Sequence, residues 1–320
     1  MNGQIMVSVI CNVYNHEPYV RDALEGFVSQ KTDFPFEVLI HDDASTDRSA
    51  EIIREYEKKY PDIIKPIYQT MNQYSRGGAI TKRFQLPRVK GKYIAMCEGD
   101  DYWTDPLKLK KQYDFMETNP DYALCACSTV WVDMRTGKTR NRCRTVEDCD
   151  ISIEDIILQK MDRTFQYATV FLPAEIYMSR PEWARKFRVG DVPLALHAAT
   201  CGKVRMLADV MAVYRAHSAG SWTARVNADA AYKTEMLQGM VDGLDAFNKA
   251  TDFQHDAVIT QRIKQQKYNI ARTNRNLKAM RTGELREIYL ARPLITRISD
   301  ILACKTPGLH AAVCSVLKKE

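Results

Sequence analysis

The fold of this chain is decided by residues 93–103, Tyr93-Ile94-Ala95-Met96-Cys97-Glu98-Gly99-Asp100-Asp101-Tyr102-Trp103. The first five residues form an apolar run of the kind that makes a buried strand. Three carboxylates follow within four positions, and carboxylates this close repel one another unless a cation lies among them. Oxygen ligands at a strand end suit Mg²⁺ or Mn²⁺ that also binds substrate phosphates. The alternative is an acidic turn without a ligand, because Gly-Asp-Asp is common turn chemistry.

Two earlier apolar runs, residues 6–11 and 36–40, are predicted to be strands of the same sheet. Helical patterns follow them at 19–30 and 49–60, and then come a weaker strand at 63–68 and a short helix at 81–89. Strands that alternate with helices predict a doubly wound α/β fold with parallel strands. Ligands bind at the carboxyl ends of strands in such sheets. We therefore expect one crevice formed by residues 12–15, 42–47 and 98–103.

The remaining patterns extend this domain to about residue 224. They predict, in order, a helix at 107–119, a strand at 123–133, a loop or hairpin over 135–150, a helix at 152–161 with Ser152 as N-cap, a short strand at 169–171, a helix at 191–201 that Gly202 caps, and a strand at 210–215. Strand signals then stop. We predict an α/β domain over 1–224 and a basic helical region of two or three helices over 225–320.

The composition is that of a globular protein, with 45% hydrophobic and 27% charged residues. The sequence shows no run of 18 apolar residues and no pattern of a secretory signal, so neither a spanning helix nor export is expected. The nine cysteines lie mostly in apolar runs, as Cys11, Cys97, Cys125, Cys127 and Cys201 do. We interpret them as buried, reduced thiols of a cytoplasmic protein.

Basic residues are concentrated near the C-terminus. From Arg262 to Lys319, thirteen Lys/Arg stand against three Asp/Glu, although the net charge of the chain is only +6. Such a segment attracts phosphates. Residues 294–302 and 309–319 mix apolar residues at helical spacing with cations, which fits either a helix on an anionic membrane or a packing helix within the chain or a homo-oligomer. We expect no nucleic-acid partner.

Three ordered motifs give the chain a family resemblance. They are Val7-Ser8-Val9-Ile10-Cys11-Asn12-Val13-Tyr14-Asn15, His41-Asp42-Asp43-Ala44-Ser45-Thr46-Asp47, and Gly91-Lys92-Tyr93-Ile94 running into Glu98-Gly99-Asp100-Asp101-Tyr102-Trp103. Over roughly residues 5–222 the chain resembles an inverting glycosyltransferase of family 2. The resemblance implies the GT-A fold, a Rossmann-like, doubly wound, mostly parallel sheet.

The resemblance implies a nucleotide pocket at the first two strand ends. Asn12 and Tyr14 match positions near the uracil and ribose, where a short polar side chain reads the base edge and an aromatic face stacks on the ring. Asp42 and Asp43 match an Asp-Asp-Gly-Ser motif in which an Asp accepts from the uracil N–H. Ala44 departs from the usual glycine, which costs stability if φ is positive there. The alternatives are an interfacial tyrosine and a helix cap in the second motif.

The resemblance also implies a site for Mn²⁺ or Mg²⁺ at the third strand end. Asp100 and Asp101 match the metal-binding pair, Asp100 also being a nucleotide contact, and Glu98 matches a position often held by another Asp. Val213-Tyr214-Arg215-Ala216-His217 matches the family's Tyr-Arg-x-His segment. His217 is therefore expected to bind the metal or a phosphate, and Arg215 a phosphate. A purely structural role is the alternative for the histidine.

The remaining candidates rest on single positions. Asp191, in Gly190-Asp191-Val192, matches the family's general base, with an N-cap role as the alternative. The diphosphate candidates, which could equally be solvated surface charges, are Arg76, Lys82 and Arg83. The candidates for stacking on a sugar face, which could equally pack in the core or a lid, are Trp103 and Trp222.

Together these matches imply a metal-dependent, inverting transfer of a hexosyl or N-acetylhexosaminyl group from a nucleotide sugar, UDP-linked by preference, to a hydroxyl of a saccharide or lipid-linked saccharide. The implied setting is surface polysaccharide or capsule assembly, with the protein peripheral on the inner face of the membrane. One alternative is a sugar-nucleotide nucleotidyltransferase, but residues 12–18 lack the glycine-rich phosphate loop expected of it. The other is a catalytically silent, glycan-binding relative, against which the joint presence of Asp100, Asp101, Asp191 and His217 argues.

Overall fold

A computed structural model describes residues 3–140, 145–160, 164–218 and 221–306, with the side chain of residue 222 excepted. The chain divides into two compact units. Met1–Pro181 and Leu194–Ala224 form the first, called here the α/β unit. Glu182–Pro193 and Arg225–Glu320 form the second, called the helical unit. Among the described helices, none is both long and apolar enough to span a bilayer.

The α/β unit is built on one mixed sheet. Its strands are β1 Val7–Val13, β2 Phe36–Asp42, β3 Ile64–Tyr68, β4 Tyr93–Met96, β5 Tyr102–Trp103, β6 Tyr122–Asp133, β7 Thr139–Arg140, β8 Cys149–Asp150, β9 Phe171–Pro173 and β10 Lys203–Ala216. The order across the sheet is β3-β2-β1-β4-β9-β6-β10-β5, with β7 on β6 and β8 on β10. β1 to β4 pair in parallel and β6 pairs in parallel with β10, while β9 runs antiparallel between β4 and β6. The predicted α/β, mostly parallel class is confirmed.

Helices connect the strands. They are α1 Val20–Val28, α2 Ser49–Lys59, α3 Lys108–Thr118, α4 Ile153–Leu158, α5 Ala174–Met178, α6 Asp191–Cys201 and α7 Trp222–Ala228, with a π-helix at Thr81–Gln85 and 3-10 turns at Leu86–Arg88, Tyr167–Thr169 and Glu182–Lys186. The helical unit contains the Glu182–Lys186 turn and the start of α6 with Asp191. It adds α8 Ala230–Ala250, α9 Asp256–Thr273, α10 Leu277–Arg281, a 3-10 turn at Gly283–Leu285, α11 Arg286–Ala291 and α12 Leu294–Lys305. The prediction of two or three C-terminal helices was too low, because short α10 and α11 interrupt the pattern.

β1 lies at the centre of the parallel half of the sheet, and its residues are buried on both faces. Ser8 carries the only hydroxyl in this strand, and its Oγ donates to Glu37 Oε1 at 2.8 Å and accepts from the Gly91 amide at 2.9 Å. A Cβ on Gly91 would lie 2.4 Å from the Ser8 amide nitrogen. The Gly91 backbone can therefore approach β1 closely enough to align β4 beside it.

Four local predictions need correction. The helix predicted at 81–89 is a π-helix followed by a 3-10 turn, and Pro87 lies in that turn. Residues 167–169 form a 3-10 turn, so the short strand starts only at Phe171. The last strand starts at Lys203 because register irregularities at Leu207–Val210 let β10 continue along β6. Gly202 does not end α6 with a left-handed φ as a capping glycine does; glycine is needed there for space, since a Cβ would lie 2.7 Å from the Asp121 carbonyl oxygen.

Other predictions hold in part. Ser152 caps α4 in a reciprocal capping box with Asp155, but the helix ends at Leu158, before the predicted residue 161, because Gln159 adopts a left-handed backbone. Residues 135–150 contain the predicted hairpin, in which β7 pairs with β6. The described cysteines are all free thiols, but Cys201 is exposed, contrary to prediction, because it ends α6 at the surface.

Candidate active site at the carboxyl ends of β1, β2 and β4

The carboxyl ends of three neighbouring strands meet at one edge of the sheet. β1 pairs in parallel with both β2 and β4, so that Val13 lies opposite Asp42 and Ile10 lies opposite Met96. The turn after β4 packs on the end of β1, where the Gly99 amide donates to the Asn12 carbonyl at 3.1 Å. A Cβ on Gly99 would come within 2.8 Å of Val13 Cγ2. The predicted crevice segments are therefore brought together, and Gly99 allows the acidic turn to lie directly against β1.

Asp43 organises the loop that follows β3. Its Oδ1 accepts from the Gln73 amide at 2.7 Å and its Oδ2 from the Tyr74 amide at 3.0 Å. Gln73 Oε1 in turn accepts from Arg83 at 3.3 Å. The second motif thus connects the end of β2 to the cationic π-helix, and both oxygens of Asp43 already have backbone donors.

Asp42 is buried beside it and is less fully hydrogen-bonded. Its Oδ2 accepts from the Ser45 amide at 3.3 Å, and burial raises the pKa of this carboxyl. The helix-cap alternative does not apply to Asp42 or Ser45, because Asp47 Oδ1 accepts from the Ser49 amide at the start of α2. Ser45 Oγ instead accepts from the Asn15 amide at 3.0 Å, which joins the first two motifs.

Ala44 has a left-handed backbone with φ of 60°. This is the position where the family resemblance implies glycine, and an L-residue pays a steric penalty there. The turn keeps the conformation that glycine would adopt freely.

Buried polar atoms without a protein partner are concentrated at this edge. Within the described residues they include Asn12 Oδ1, His16 Nδ1, His41 Nδ1 and Asp42 Oδ1. Asn12 Nδ2 donates to Thr81 at 3.3 Å, which holds the amide in place. Unsatisfied buried polar groups cost stability and are uncommon in native proteins. Tyr14, 45% exposed at the same strand end, adds an aromatic face suited to stacking on a base.

Asp100 and Asp101 occupy different environments. Asp100 is partly exposed, and its Oδ2 accepts from Ser218 Oγ at 2.8 Å. Asp101 is only 3% exposed. Its Oδ1 accepts from the Arg215 amide at 2.8 Å, and burial together with the charge of Asp100 raises its pKa. Of the predicted metal pair, only Asp100 has a carboxylate open to a ligand.

Arg215 holds the acidic turn rather than facing a phosphate. Its guanidinium donates to the Asp100 carbonyl at 3.1 Å and forms an ion pair with Asp22 on α1. The same group lies 4.3 Å from the centre of the Tyr102 ring. Because these contacts occupy a side chain that is 8% exposed, the predicted phosphate contact is corrected to a structural one.

His217 does not complete a metal site with the two aspartates. Throughout the described ranges, no three His, Cys, Asp or Glu side chains form a group with metal-ligand spacing. The His217 amide donates to Thr223 Oγ1 at 3.1 Å, and its φ is 63°. Asp133, at the carboxyl end of the neighbouring β6, has its pKa lowered chiefly by the hydrogen bond from Arg135.

Asp100 nevertheless fits a divalent cation on chemical grounds. It offers a hard carboxylate oxygen, and Mg²⁺ or Mn²⁺ needs only one or two protein carboxylates when phosphates supply the rest. Burial and the charges of Glu98, Asp100 and Asp101 raise the pKa of Cys11 at the end of β1. The strand end therefore lies in a negative field that favours a cation.

The weaker candidates separate into surface and core positions. Glu98 and Lys82 are exposed, as is Arg76, which contacts Met71 Sδ at 3.4 Å. Trp103 belongs to the core: its Nε1 donates to the Ala168 carbonyl at 2.7 Å and its ring lies 4.9 Å from that of Phe27. The sugar-stacking prediction for Trp103 is therefore wrong. The side chain of residue 222 lies outside the described part of the structure.

Asp191 is the first residue of α6. Its Oδ1 accepts from the amide of the next residue, Val192, at 2.8 Å. Burial raises the pKa of this carboxyl. A raised pKa brings a carboxylate closer to the range in which it can take a proton from a hydroxyl.

Sequence analysis missed two residues of this site. Ser218 orients Asp100 through its hydroxyl. His16 faces the acidic turn, and burial lowers the pKa of its imidazole although the negative charge of Asp100 acts to raise it. Ser218 directly follows the quoted His217, and His16 directly follows Asn15. Ser218 lies within the segment Ser218-Ala219-Gly220-Ser221-Trp222 that continues the last motif but was given no role there, and extending the first motif by one residue would have included His16.

Comparison with known proteins shows the family of this chain. The family model described as Glycosyl transferase family 2 matches residues 8–185, more than half of the chain. An uncharacterized protein of Mycobacterium tuberculosis is 34% identical over 226 residues, which are 68% of this chain and 60% of that protein. The chain thus spans about three fifths of the length of this curated relative.

Two solved structures share the fold at low sequence identity. S. aureus TarS 1–349 in complex with UDP-GlcNAc superposes with a TM-score of 0.59 at 17% identity, covering 94% of this chain and 81% of that one. The mannosyltransferase PcManGT from Pyrobaculum calidifontis, in complex with GDP-Man and Mn²⁺, gives a TM-score of 0.57 at 17% identity, covering 100% and 89%. The fold is therefore GT-A, and by its family match this chain belongs to glycosyl transferase family 2.

Proposed function

We propose that this protein is a metal-dependent inverting glycosyltransferase that moves a hexosyl or N-acetylhexosaminyl group from a UDP-sugar to a hydroxyl of a saccharide or lipid-linked saccharide. The proposed setting is surface polysaccharide assembly. The observation that carries the proposal is the group of unpartnered polar atoms beside the open carboxylate of Asp100 at one edge of the sheet. A nucleoside diphosphate has a base edge that can hydrogen-bond to the unpartnered polar atoms. It also has a diphosphate that can share a cation with Asp100.

The nucleotide half of the site would be formed by β1 and β2. Tyr14 offers its exposed ring to the base, and Asn12 and Asp42 offer acceptor oxygens that have no donor among the described residues. Asp43 supports this pocket by holding the 73–74 loop. Lys82 and Arg83 on the π-helix supply positive charge for the diphosphate, since phosphates favour such donors.

Asp100 would hold the divalent cation together with the donor's phosphates. When bound, the cation supplies charge neutralisation on the departing nucleoside diphosphate. The protein's own contribution is to fix the Asp100 carboxylate, through Ser218 and through the Arg215 contact to its carbonyl. A ligand held in this way is pre-oriented before the donor arrives.

Asp191 would act as the general base. Inversion requires a group that accepts the proton of the acceptor hydroxyl as that oxygen attacks the anomeric carbon. Burial keeps the pKa of Asp191 above its ordinary value, which makes the carboxylate a better base than an exposed aspartate. The proton therefore passes from the acceptor oxygen to Asp191 while the glycosidic bond to the diphosphate breaks.

A donor screen tests this function. We expect UDP and one or more UDP-sugars to raise the thermal midpoint in the presence of Mn²⁺, with GDP-Man as the comparison because one fold neighbour binds it. Preference for GDP-Man would replace the UDP assignment. Absence of binding and hydrolysis with every nucleotide sugar would remove the enzymatic proposal.

The role of Asp191 has its own test. Asp191→Asn should abolish transfer to acceptor while UDP binding by calorimetry stays within about twofold, because the base acts only in the chemical step. Unchanged transfer by this variant would exclude Asp191 as the base.

A further inference from the structure

The helical unit contains a cavity lined by both cations and aliphatic side chains. It has a volume of about 260 Å³ and lies where α10, α11 and α12 meet. Its lining includes Arg281, Arg286, Arg297, Leu290, Leu294 and Ile298. No acidic residue of the described chain lines it.

The three arginines of this cavity differ from Lys267, Arg272 and Arg292, which face carboxylates. Arg272 lies 2.6 Å from the buried carboxylate of Asp300, and Lys267 lies 2.8 Å from Glu284. No comparable ion pair is found for the cavity arginines among residues 221–306.

Two of these arginines lie within cation–π distance of the same ring. The guanidinium carbons of Arg281 and Arg297 each lie 5.9 Å from the centre of the Tyr289 ring. Nε of Arg297 is buried and has no hydrogen-bond partner within the described residues. The cavity therefore concentrates positive charge on groups that are positioned but not neutralised.

Aliphatic side chains lie exposed beside this charge. Leu294 is 64% exposed, Ile295 77%, Ile298 47% and Leu290 46%. They project from two consecutive helices, α11 and α12. Exposed aliphatic groups next to arginines are typical of helices that lie in the interfacial region of an anionic bilayer.

We propose that this cavity binds the phosphate headgroup of an anionic membrane lipid, with Leu290, Leu294 and Ile298 inserted at the acyl boundary. Arginine guanidinium groups match phosphate oxygens in a bidentate manner. A soluble phosphate would satisfy the arginines but would leave the aliphatic groups in water. Lipid binding here would supply a site and a partner for the membrane contact that the basic C-terminal sequence implies. This binding does not depend on sugar transfer.

Vesicle co-sedimentation of the full-length protein tests the proposal. Binding should be strong with phosphatidylcholine vesicles that contain about 30% phosphatidylglycerol, and weak with phosphatidylcholine alone. The triple variant Arg281→Gln, Arg286→Gln, Arg297→Gln should bind the anionic vesicles roughly a hundredfold more weakly, since each cation near an anionic bilayer contributes about a fivefold factor. Equal binding to both kinds of vesicle would overturn the proposal.

A charge-matched control separates a site from general attraction. The triple variant Arg21→Gln, Arg48→Gln, Arg185→Gln removes the same net charge from exposed side chains that form surface salt bridges. It should lose less than about fivefold in vesicle affinity. A loss equal to that of the cavity variant would overturn the proposed site.

A further variant tests the aliphatic part of the site. The double variant Leu294→Asn, Ile298→Asn keeps all charges and should weaken vesicle binding by about tenfold or more, with unchanged helix content by circular dichroism. Unchanged binding would show that the aliphatic groups do not enter the bilayer.

Two further outcomes would identify another occupant. Binding of inorganic phosphate, lost in the arginine variant and accompanied by no vesicle binding, would assign the cavity to a soluble anion. A dimer in sedimentation equilibrium that the double variant dissociates, again without vesicle binding, would assign it to a second copy of the chain. UDP binding is measured in parallel, so failure at the membrane and failure of the proposed enzymatic function remain distinguishable.

Discussion

Asp100 and Asp101, in the turn after β4, have different environments and roles. Asp100 is partly exposed and held by Ser218, whereas Asp101 is buried and accepts from the backbone of β10. A buried carboxylate with a raised pKa is a poor ligand until it loses its proton and becomes accessible. Asp100 is thus the carboxylate open to a ligand, and Asp101 is the carboxylate that fixes the turn.

Ala44 stores strain in the second motif. Because its φ of 60° suits glycine, Ala44→Gly should raise the free energy of unfolding by about 0.5–1 kcal/mol, measured by urea denaturation. Ala50→Gly, inside α2, serves as the control and should lower it by about 1 kcal/mol. A destabilised Ala44→Gly variant would contradict the argument.

The raised pKa of the Asp42 carboxyl predicts a pH-dependent contribution to the stability of the fold. Burial raises its pKa in the folded protein above the ordinary 3.8, so the folded state holds this proton more tightly than the unfolded state. The stabilisation is complete below the unfolded pKa and is lost as pH rises through the folded pKa.

Asp42→Asn removes this titration. From about pH 4 to about pH 8, the free energy of unfolding of the variant should therefore rise relative to that of the wild type. Urea denaturation at both pH values measures it. A difference that is constant, or that shifts toward the wild type, would be inconsistent with a raised pKa.

At the scale of elements, Arg215 connects three parts of the α/β unit. Its side chain joins α1 through Asp22 and the acidic turn through the Asp100 carbonyl, while its backbone belongs to β10. Arg215→Met keeps the apolar stem but removes these bonds, and it should lower the free energy of unfolding by about 1–3 kcal/mol.

The matched control is Arg48→Met. The Arg48 side chain pairs with exposed Glu51, and loss of such a pair costs about 0.5 kcal/mol or less. Chemical denaturation measures both variants. Similar losses for the two would mean that Arg215 does not hold the turn.

The elements of the parallel half-sheet could be predicted from sequence because each buried strand is a continuous apolar run. Residues 36–40, for example, were placed within the observed β2 Phe36–Asp42. The π-helix at Thr81–Gln85 could not be predicted in this way. It depends on Gln85, whose side-chain amide donates to the carbonyls of Cys11 and Leu39 at 3.0 Å each. Such contacts across the sheet leave no local pattern.

The site was predictable to a similar degree. The strand ends that carry Asn12, Asp42 and Asp100 were predicted to converge, and the parallel pairing of β1 with both neighbours brings them together. The environments of Trp103 and Arg215 were not predictable. Each depends on side chains distant in sequence, Phe27 and Asp22 respectively.

At the scale of the whole molecule, the proposed donor pocket and the arginine-lined cavity belong to different units. The α/β unit carries Asn12, Asp42 and Asp100, while the helical unit carries the cavity and also Asp191, the proposed base. The nucleotide and membrane proposals can therefore be tested separately, the first by UDP binding and the second by vesicle binding.

Calorimetric titration of UDP into the wild-type protein and into Asp100→Asn, each with and without Mn²⁺, tests the central claim most directly. The wild type should bind UDP about tenfold or more tightly with Mn²⁺ than without it, because in the proposed site Asp100 and the diphosphate would both hold the cation. Asp100→Asn should retain the metal-free affinity and lose the gain from Mn²⁺. A full Mn²⁺-dependent gain in Asp100→Asn, or none in the wild type, would contradict the metal site proposed at the end of β4.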